Sequence, residues 1–210
     1  WSAPWYFAVI GSAVAVGLGK VVFGGLGYIR REGLSVQFAV EVVILTLLVV
    51  GGSWIIGAPL NPFLFIALLY VVTMRSRLAV DLANALVKRG HSDLAFRLYD
   101  LALAWWPDGA SRLIVLVNKG AAQIYRDRIK DAIATLEGVL EPAPRHRLGL
   151  KYEAACRYNL AHAYELDGQD ARSVTQYNEA IDVLPGSLYA QAAKAALKRR
   201  KQRSETDKSP

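Results

Sequence analysis

NLAHAYELDGQDARSVTQYNEAIDVLP, running from Asn159 to Pro185, places Gly168, Ser173, Tyr177, Ala180 and Pro185 at successive steps of five, four, three and five residues. Upstream, GHSDLAFRLYDLALAWWP repeats those steps with Gly90, Ala95, Tyr99, Ala102 and Pro107. The reason for such a ladder is packing. Small residues at Ala95, Ala102 and Ala180 let two helices approach closely, Tyr99 and Tyr177 fill the space beside them, and the prolines stop the second helix. The helix ahead of each glycine fits as well, with Leu82, Ala83 and Leu86 in the first unit and Leu160, Ala161 and Tyr164 in the last. Between them a weaker unit keeps the frame with Asn118, Gly120, Ala132, Leu136 and Pro142.

The ladder resembles the tetratricopeptide (TPR) family, whose repeat is an antiparallel helix pair with a period of about 34 residues. Asn159 to Pro185 matches it almost residue for residue. The middle unit departs from the pattern, with Lys119 where a Leu is usual and Asp127 where the turn Gly is usual. Gly90 to Asp127 is a step of 37 residues and Asp127 to Gly168 one of 41. The surplus is expected in loops at residues 108–112 and 143–150. Repeats are thus expected over residues 76–109, 113–146 and 154–187. After them SLYAQAAKAALKRR, Ser187 to Arg200, looks like the solvating helix that closes a TPR stack. Leu188, Ala192, Ala195 and Ala196 are expected on its inner side and Ser187 at its N-cap. This cap spans residues 187–201, with a polar tail over 202–210. A generic antiparallel helical bundle is the plain alternative.

Residues 1–75 have another solvent in mind. The runs 5–29 and 36–57 are each long enough to cross a bilayer as a helix, which takes about 20 apolar residues. A third, 60–75, is short: Leu60 to Met74 rises only about 22 Å, with Arg75 and Arg77 placed to snorkel towards headgroups. The expected fold is therefore all-α, with three N-terminal transmembrane helices, a solenoid of three TPR pairs and a capping helix. The first apolar run lacks a basic n-region and exceeds a signal h-region, so an anchor is expected rather than a cleaved peptide. Trp1, Trp5 and Tyr6 suit an aromatic belt.

Arg30 and Arg31 end the first span, and Arg75, Arg77, Lys88 and Arg89 follow the third, while residues 1–4 and 57–62 carry no Lys or Arg. The positive-inside rule then puts the N-terminus outside and the repeats in the cytoplasm, as in a multi-pass protein of a bacterial inner membrane. A re-entrant third stretch would turn the repeats outward.

Residues 75–193 hold 15 basic and 14 acidic side chains, whereas 194–210 hold 7 against 2, so most of the formal charge of +7 sits in the tail. KRRKQR, Lys198 to Arg203, suits anionic lipid or an acidic partner, the plain alternative being a solvated helix end. The basic character does not continue through the repeats, which argues against nucleic acid. A single cysteine, Cys156, excludes an intrachain disulfide.

Within the spans, Gly11, Ala15 and Gly19 recur every fourth residue and form a face on which another helix can pack. Lys20 and Glu41 lie about 15 Å and about 10 Å deep along their helices. Each alone costs up to about 3 kcal/mol at the bilayer centre, so a Lys20–Glu41 pair between helices is expected, with snorkelling of Lys20 as the rival. All three histidines, His91, His146 and His162, lie beyond the spans, which leaves no imidazole there for haem or chlorophyll. VGLGKVV around Lys20 lacks the first glycine and the hydroxyl of a phosphate loop. His162 and Glu165 have a chelating i, i+3 spacing but no second ligand pair, so no metal is expected. No catalytic constellation, cofactor or small-molecule substrate is expected.

The resemblance implies a protein-binding groove lined by the first helix of each pair: Arg77, Val80, Asn84 and Lys88, then Ile114, Val117 and Ala121, then Tyr158 and His162. Asn84 and Asn118 match two asparagines of the TPR clamps that hold a chaperone's carboxylate. Val80, Ala155 and Asn159 replace their cations, which argues against that ligand. A groove of this mixture suits an amphipathic helix or an extended peptide. Trp105 and Trp106 read as core and hinge packing or as a docking anchor. Other protein subunits, reached through groove and spans, and membrane lipids are the expected partners. The function expected is that of an accessory, scaffold or assembly subunit of a membrane complex. A free-standing tether for a soluble partner is the alternative, and a small transporter with a regulatory domain is a third class.

Overall fold

The computed structural model describes residues 36–57, 61–141 and 149–206, and all eight helices and connections there are free of strands. The helices are α1 Val36–Ile56, α2 Pro62–Lys88, α3 Ser92–Ala104, α4 Gly109–Tyr125, α5 Ile129–Leu140, α6 Leu150–Leu166, α7 Asp170–Val183 and α8 Leu188–Thr206. The chain divides into two compact units, Trp1–Leu78 and Ala79–Pro210.

In the first unit, the expected helix at 36–57 is α1, and the one at 60–75 begins at Pro62. Asn61 caps α2, its Oδ1 accepting the N–H groups of Phe63 and Leu64 at 3.0 and 3.3 Å, and Pro62 takes the first helical position, where no N–H is needed. Among the described residues no single helix is long and apolar enough to cross a membrane; Pro62–Val72 and Met74–Lys88, a bent pair, reach that length and composition together. The expected helix over 5–29, with Gly11, Ala15, Gly19 and Lys20, lies outside the described residues. Large apolar side chains stand exposed along α1 and the start of α2, among them Leu47, Leu48, Trp54, Phe63 and Leu64.

In the second unit three helical hairpins carry the same turn. Gly90, Asp127 and Gly168 have φ of +83°, +58° and +78°. The residues that follow, His91, Arg128 and Gln169, share φ near −90° and ψ near +60°, at −87°/59°, −91°/62° and −85°/65°. Each donates its N–H to the carbonyl five residues back, Leu86, Gln123 and Tyr164, at 2.9, 2.9 and 2.8 Å. This closes the helix C-terminus by satisfying carbonyls that the ladder has run out of donors for. The middle turn achieves with an aspartate what the outer two achieve with glycine.

The ladder positions are buried in all three hairpins: Ala95, Ala132 and Ser173, then Tyr99, Leu136 and Tyr177, then Ala102, Val139 and Ala180. On the facing helices Ala83 and Ala161 are fully buried. Between them in the series stands Gly120, where an added Cβ would lie 2.6 Å from Leu136 Cγ, so that pair is closer than any alanine allows. Successive helices from α3 to α8 touch, and α4 also touches α6 as α6 touches α8.

Four expectations are corrected here. Leu82 was expected in the helix contact and is 54% exposed. Its equivalents pack on the pair before them, Leu160 in the core beside Leu136 and Lys119 through an ion pair to Asp100 at 2.6 Å, whereas the first pair has none before it in its unit. Residues 108–112 are not a loop. Asp108 caps α4, its Oδ1 accepting from Ser111 N at 2.6 Å, so the surplus residues extend the helix by a turn. On α8 the inner face is Ala190, Ala193 and Ala196 with Leu197 beside them, while Leu188 is 81% exposed and Ala195 is exposed too. That rotation brings Arg200 onto Glu165 and Asp170. Ser187 caps the helix as expected, its Oγ accepting from Ala190 N at 3.0 Å. The fourth concerns Arg75, which does not snorkel: its guanidinium holds Glu41 with two hydrogen bonds, 2.7 and 2.8 Å, and reaches Val72 O at 2.9 Å.

Candidate protein-binding surface

The expected groove residues do not form one surface. Val80 and Val117, at 4% and 3% exposure, belong to the core. Val80 packs with Ala83, Tyr99 and Val115, and Val117 with Ala132, Leu136 and Leu160. Ile114 is buried too. Stacking of neighbouring first helices covers these positions, so they hold the repeats together and are not offered to a ligand. Lys88 is exposed at the end of α2, and Arg77, in the other unit, is half-buried.

Asn84 and Asn118 point at each other. Asn84 Nδ2 donates to Asn118 Oδ1 at 2.9 Å, Asn118 Nδ2 donates to Ile114 O at 2.8 Å, and the Tyr99 hydroxyl donates to Asn84 Oδ1 at 2.5 Å. The two amides therefore join α2, α3 and α4 instead of presenting a fork to a carboxylate. Burial pushes the Tyr99 hydroxyl up to about 12, which keeps it a donor at any physiological pH.

Tyr158 and His162 remain on the surface of α6. The Tyr158 ring stands 5.8 Å from that of Tyr177 and 6.0 Å from that of Tyr189, a cluster that ties α6 to α7 and α8. His162 Nδ1 lies 3.9 Å from Glu165 Oε2. Glu165 also accepts from the Tyr177 hydroxyl at 2.8 Å and meets Arg200 at 3.4 Å. Among the described residues no group of three or more His, Cys, Asp or Glu side chains could hold a metal ion. Burial, and after it the Glu165 hydrogen bond, hold the Tyr177 hydroxyl well above the usual phenol range.

Two charged networks were not expected from spacing alone. Glu153, almost fully buried, binds Arg157 at 2.9 Å, and Arg157 reaches across to Glu179 on α7. Glu137 of α5 accepts from the Tyr164 hydroxyl and from Arg172 at 2.7 Å, with the Arg172 guanidinium 4.3 Å over the Tyr164 ring. Each network links one hairpin to the next or one hairpin's two helices. The signal available in the sequence was a charged residue beside a ladder position, which a helix face in water shows as well.

The first hairpin carries a run of exposed apolar side chains. Leu94 and Leu101 of α3 and Trp105 just past its end follow at i, i+7 and i+11 and are exposed, and Trp106, with φ of +49°, is 82% exposed. Core packing of this tryptophan pair is thereby corrected, since both side chains keep much of their area in the open. Cys156 is buried, its Sγ 3.6 Å from Leu136 O, and burial pushes its thiol up to about 12, so it is held as an inert core residue. No family model matches the chain, and no curated protein and no solved structure is significantly similar to it.

Proposed function

We propose that the chain is a membrane-anchored, non-catalytic TPR protein that serves as an accessory, scaffold or assembly subunit of a larger membrane complex. The observation that carries this reading is the threefold return of one hairpin turn at Gly90, Asp127 and Gly168, each followed by the same buried ladder. A stack of such pairs makes an extended, rigid scaffold that binds proteins through its surface. Exposed Leu94, Leu101, Trp105 and Trp106 supply the kind of side chain on which protein interfaces concentrate their affinity. Exposed Leu47, Leu48, Trp54, Phe63 and Leu64 need covering by lipid or by other apolar helices, since water would leave a large apolar patch open. The residues before Arg75 then serve as anchor and as contact to other subunits, and the repeats recruit or steady a partner on the cytoplasmic side.

The test is purification of the tagged full-length protein from its native membrane in mild detergent, with mass spectrometry of co-purifying proteins, beside a form ending at Arg77. Partners kept by both forms support an integral subunit. Partners lost with the repeats point to a tether that recruits a soluble protein, and recovery of each form alone overturns the proposal.

A further inference from the structure

The first hairpin of the second unit has an outward flank built of leucine. Leu82 and Leu86 lie on the flank of α2 away from Asn84, which bonds Asn118 of α4. Leu94, Leu98 and Leu101 lie on the flank of α3 away from Phe96 and Asp100. Those two turn to the next hairpin, Phe96 under the Arg128 guanidinium at 5.3 Å and Asp100 onto Lys119 at 2.6 Å. Leu82, Leu94 and Leu101 are exposed, and Leu86 and Leu98 pack only partly on the core. Counted from Gly90, Asp127 and Gly168, the same five places hold Lys119, Gln123 and Asp131 with two small residues in the second hairpin. In the third they hold Leu160 and Tyr164 with three polar residues, Arg172 among them.

That distribution runs against what water selects. Where a preceding hairpin covers this flank, polar contacts do much of the joining: Lys119 meets Asp100 of α3, and the Tyr164 hydroxyl and Arg172 both meet Glu137 of α5. Where no hairpin of the unit precedes it, the flank is leucine throughout, and a contiguous apolar face with a polar rim marks a contact with another protein chain. The rim bears on which chain. Exposed Asp81 and Asp93 border the leucines together with exposed Arg89 and Arg97, acid and base in equal number. Such a rim complements its own copy and gives no preference to a strongly acidic or basic partner. The last helix offers the leucines no counterpart. Beyond Leu188, α8 exposes no large apolar side chain among the described residues, and its outward side carries Gln191 and Lys198. Among the faces of this unit, what matches leucine at the centre and mixed charge at the rim is the same flank of a second copy. We propose that the Leu82, Leu94 and Leu101 flank is a two-fold interface, the first hairpin of one copy packing on the first hairpin of the other. This rests on the reading of Leu94 and Leu101 as an interaction surface and names the partner they meet.

Full-length protein in mild detergent tests this by its mass, from light scattering with the detergent subtracted, and by thiol cross-linking, since the single native cysteine, Cys156, is buried. The wild type is expected as two copies at micromolar concentration. Arg97→Cys, at the rim, is expected to cross-link to its own copy with a bis-maleimide at least about tenfold faster than Asn178→Cys on the exposed side of α7, because facing sites in a complex reach roughly millimolar effective concentration. Leu94→Glu combined with Leu101→Glu, both at exposed positions, is expected to weaken the dimer at least about a hundredfold by burying unpaired carboxylates, with helical content by circular dichroism unchanged. Single copies of the wild type across the micromolar range overturn the proposal. So does a double variant that keeps its dimer, whose contact then lies elsewhere. Cross-linking of Arg97→Cys in native membranes to a different protein overturns it and leaves the accessory-subunit reading standing. Single copies that link to nothing there overturn it and remove the leucine flank from that reading as well.

Discussion

Asn84 and Asn118 are joined side chain to side chain at 2.9 Å, and Tyr99 anchors the pair by donating to Asn84 Oδ1. Because Tyr99 is fully buried, its hydroxyl has no water to fall back on when Asn84 is removed. Asn84→Ala is expected to lower stability by about 1 to 3 kcal/mol, the cost of a buried polar group left unpaired, read from urea unfolding of the full-length protein. Tyr99→Phe, which removes the donor along with the bond, costs less, and a double variant costs less than the sum of the two.

Gly120 faces Leu136 with no room for a methyl group. Gly120→Ala is expected to destabilise by about 1 to 3 kcal/mol through overpacking, although alanine is the better helix former by about 1 kcal/mol. Steric origin predicts that Leu136→Val relieves part of the loss, so a double-mutant cycle in thermal unfolding gives a coupling of clear sign. Additive losses would mean that the close approach is not the cause.

Asp127 holds a backbone conformation that the equivalent turns give to Gly90 and Gly168. It also sets a negative charge just past the C-terminus of α4, where the helix end is itself negative. Asp127→Gly is therefore expected to raise stability by about 0.5 to 1 kcal/mol, and Gly168→Ala to lower it by about 1 kcal/mol. Circular-dichroism melts of the two variants check the pair of opposite signs.

Ser173 occupies the place of Ala95 and Ala132, and its buried Oγ has no hydrogen-bond partner among the described residues. Replacing it by the residue the other two hairpins use removes a desolvated hydroxyl at almost no change in volume. Ser173→Ala is expected to stabilise by about 0.5 to 1 kcal/mol in chemical denaturation.

Alkaline pH loosens the repeats in a predictable window. Burial raises the Tyr99 hydroxyl from 10.0 to about 12, and Tyr164 and Tyr177 are raised as well, first by burial and then by their hydrogen bonds to Glu137 and Glu165. Below pH 10 folded and unfolded chains both keep these protons. Between there and about pH 12 the unfolded chain alone releases them, so stability falls as pH rises. Cys156, raised from 9.0 to about 12, adds to the fall from about pH 9. Unfolding midpoints measured across that range decline for the wild type, and Tyr99→Phe flattens part of the decline.

Gly168, Ser173, Tyr177 and Ala180 could be read from the chain because each position excludes most side chains by size or by backbone angle, and such exclusions survive in a bare string of letters. The turn at Asp127 could be placed by spacing even though its residue departs from the pattern. Val80 and Val117 could not be assigned, since whether a first-helix residue meets a ligand or a neighbouring helix depends on how tightly the hairpins stack. On α8 the alanines at 190, 192, 193, 195 and 196 are equal in size, so hydrophobicity does not choose the inner face, and it is the Arg200 ion pairs that go with the observed rotation. Glu41 stood out as a charge among apolar residues, but its hold on Arg75 depends on how α1 and α2 fold back on each other, and Lys20 lies outside the described residues.

The exposed side of α8 gives the helical stack a polar edge, with Gln191, Lys194, Lys198 and Gln202 facing outward. A further hairpin laid on that side would bury charge and amide groups where α6 and α7 now bury alanines. Lengthening has one sound location, between Val183 and Leu188, where a duplicate of Leu150–Val183 would receive α8 on the surface that α8 already fits.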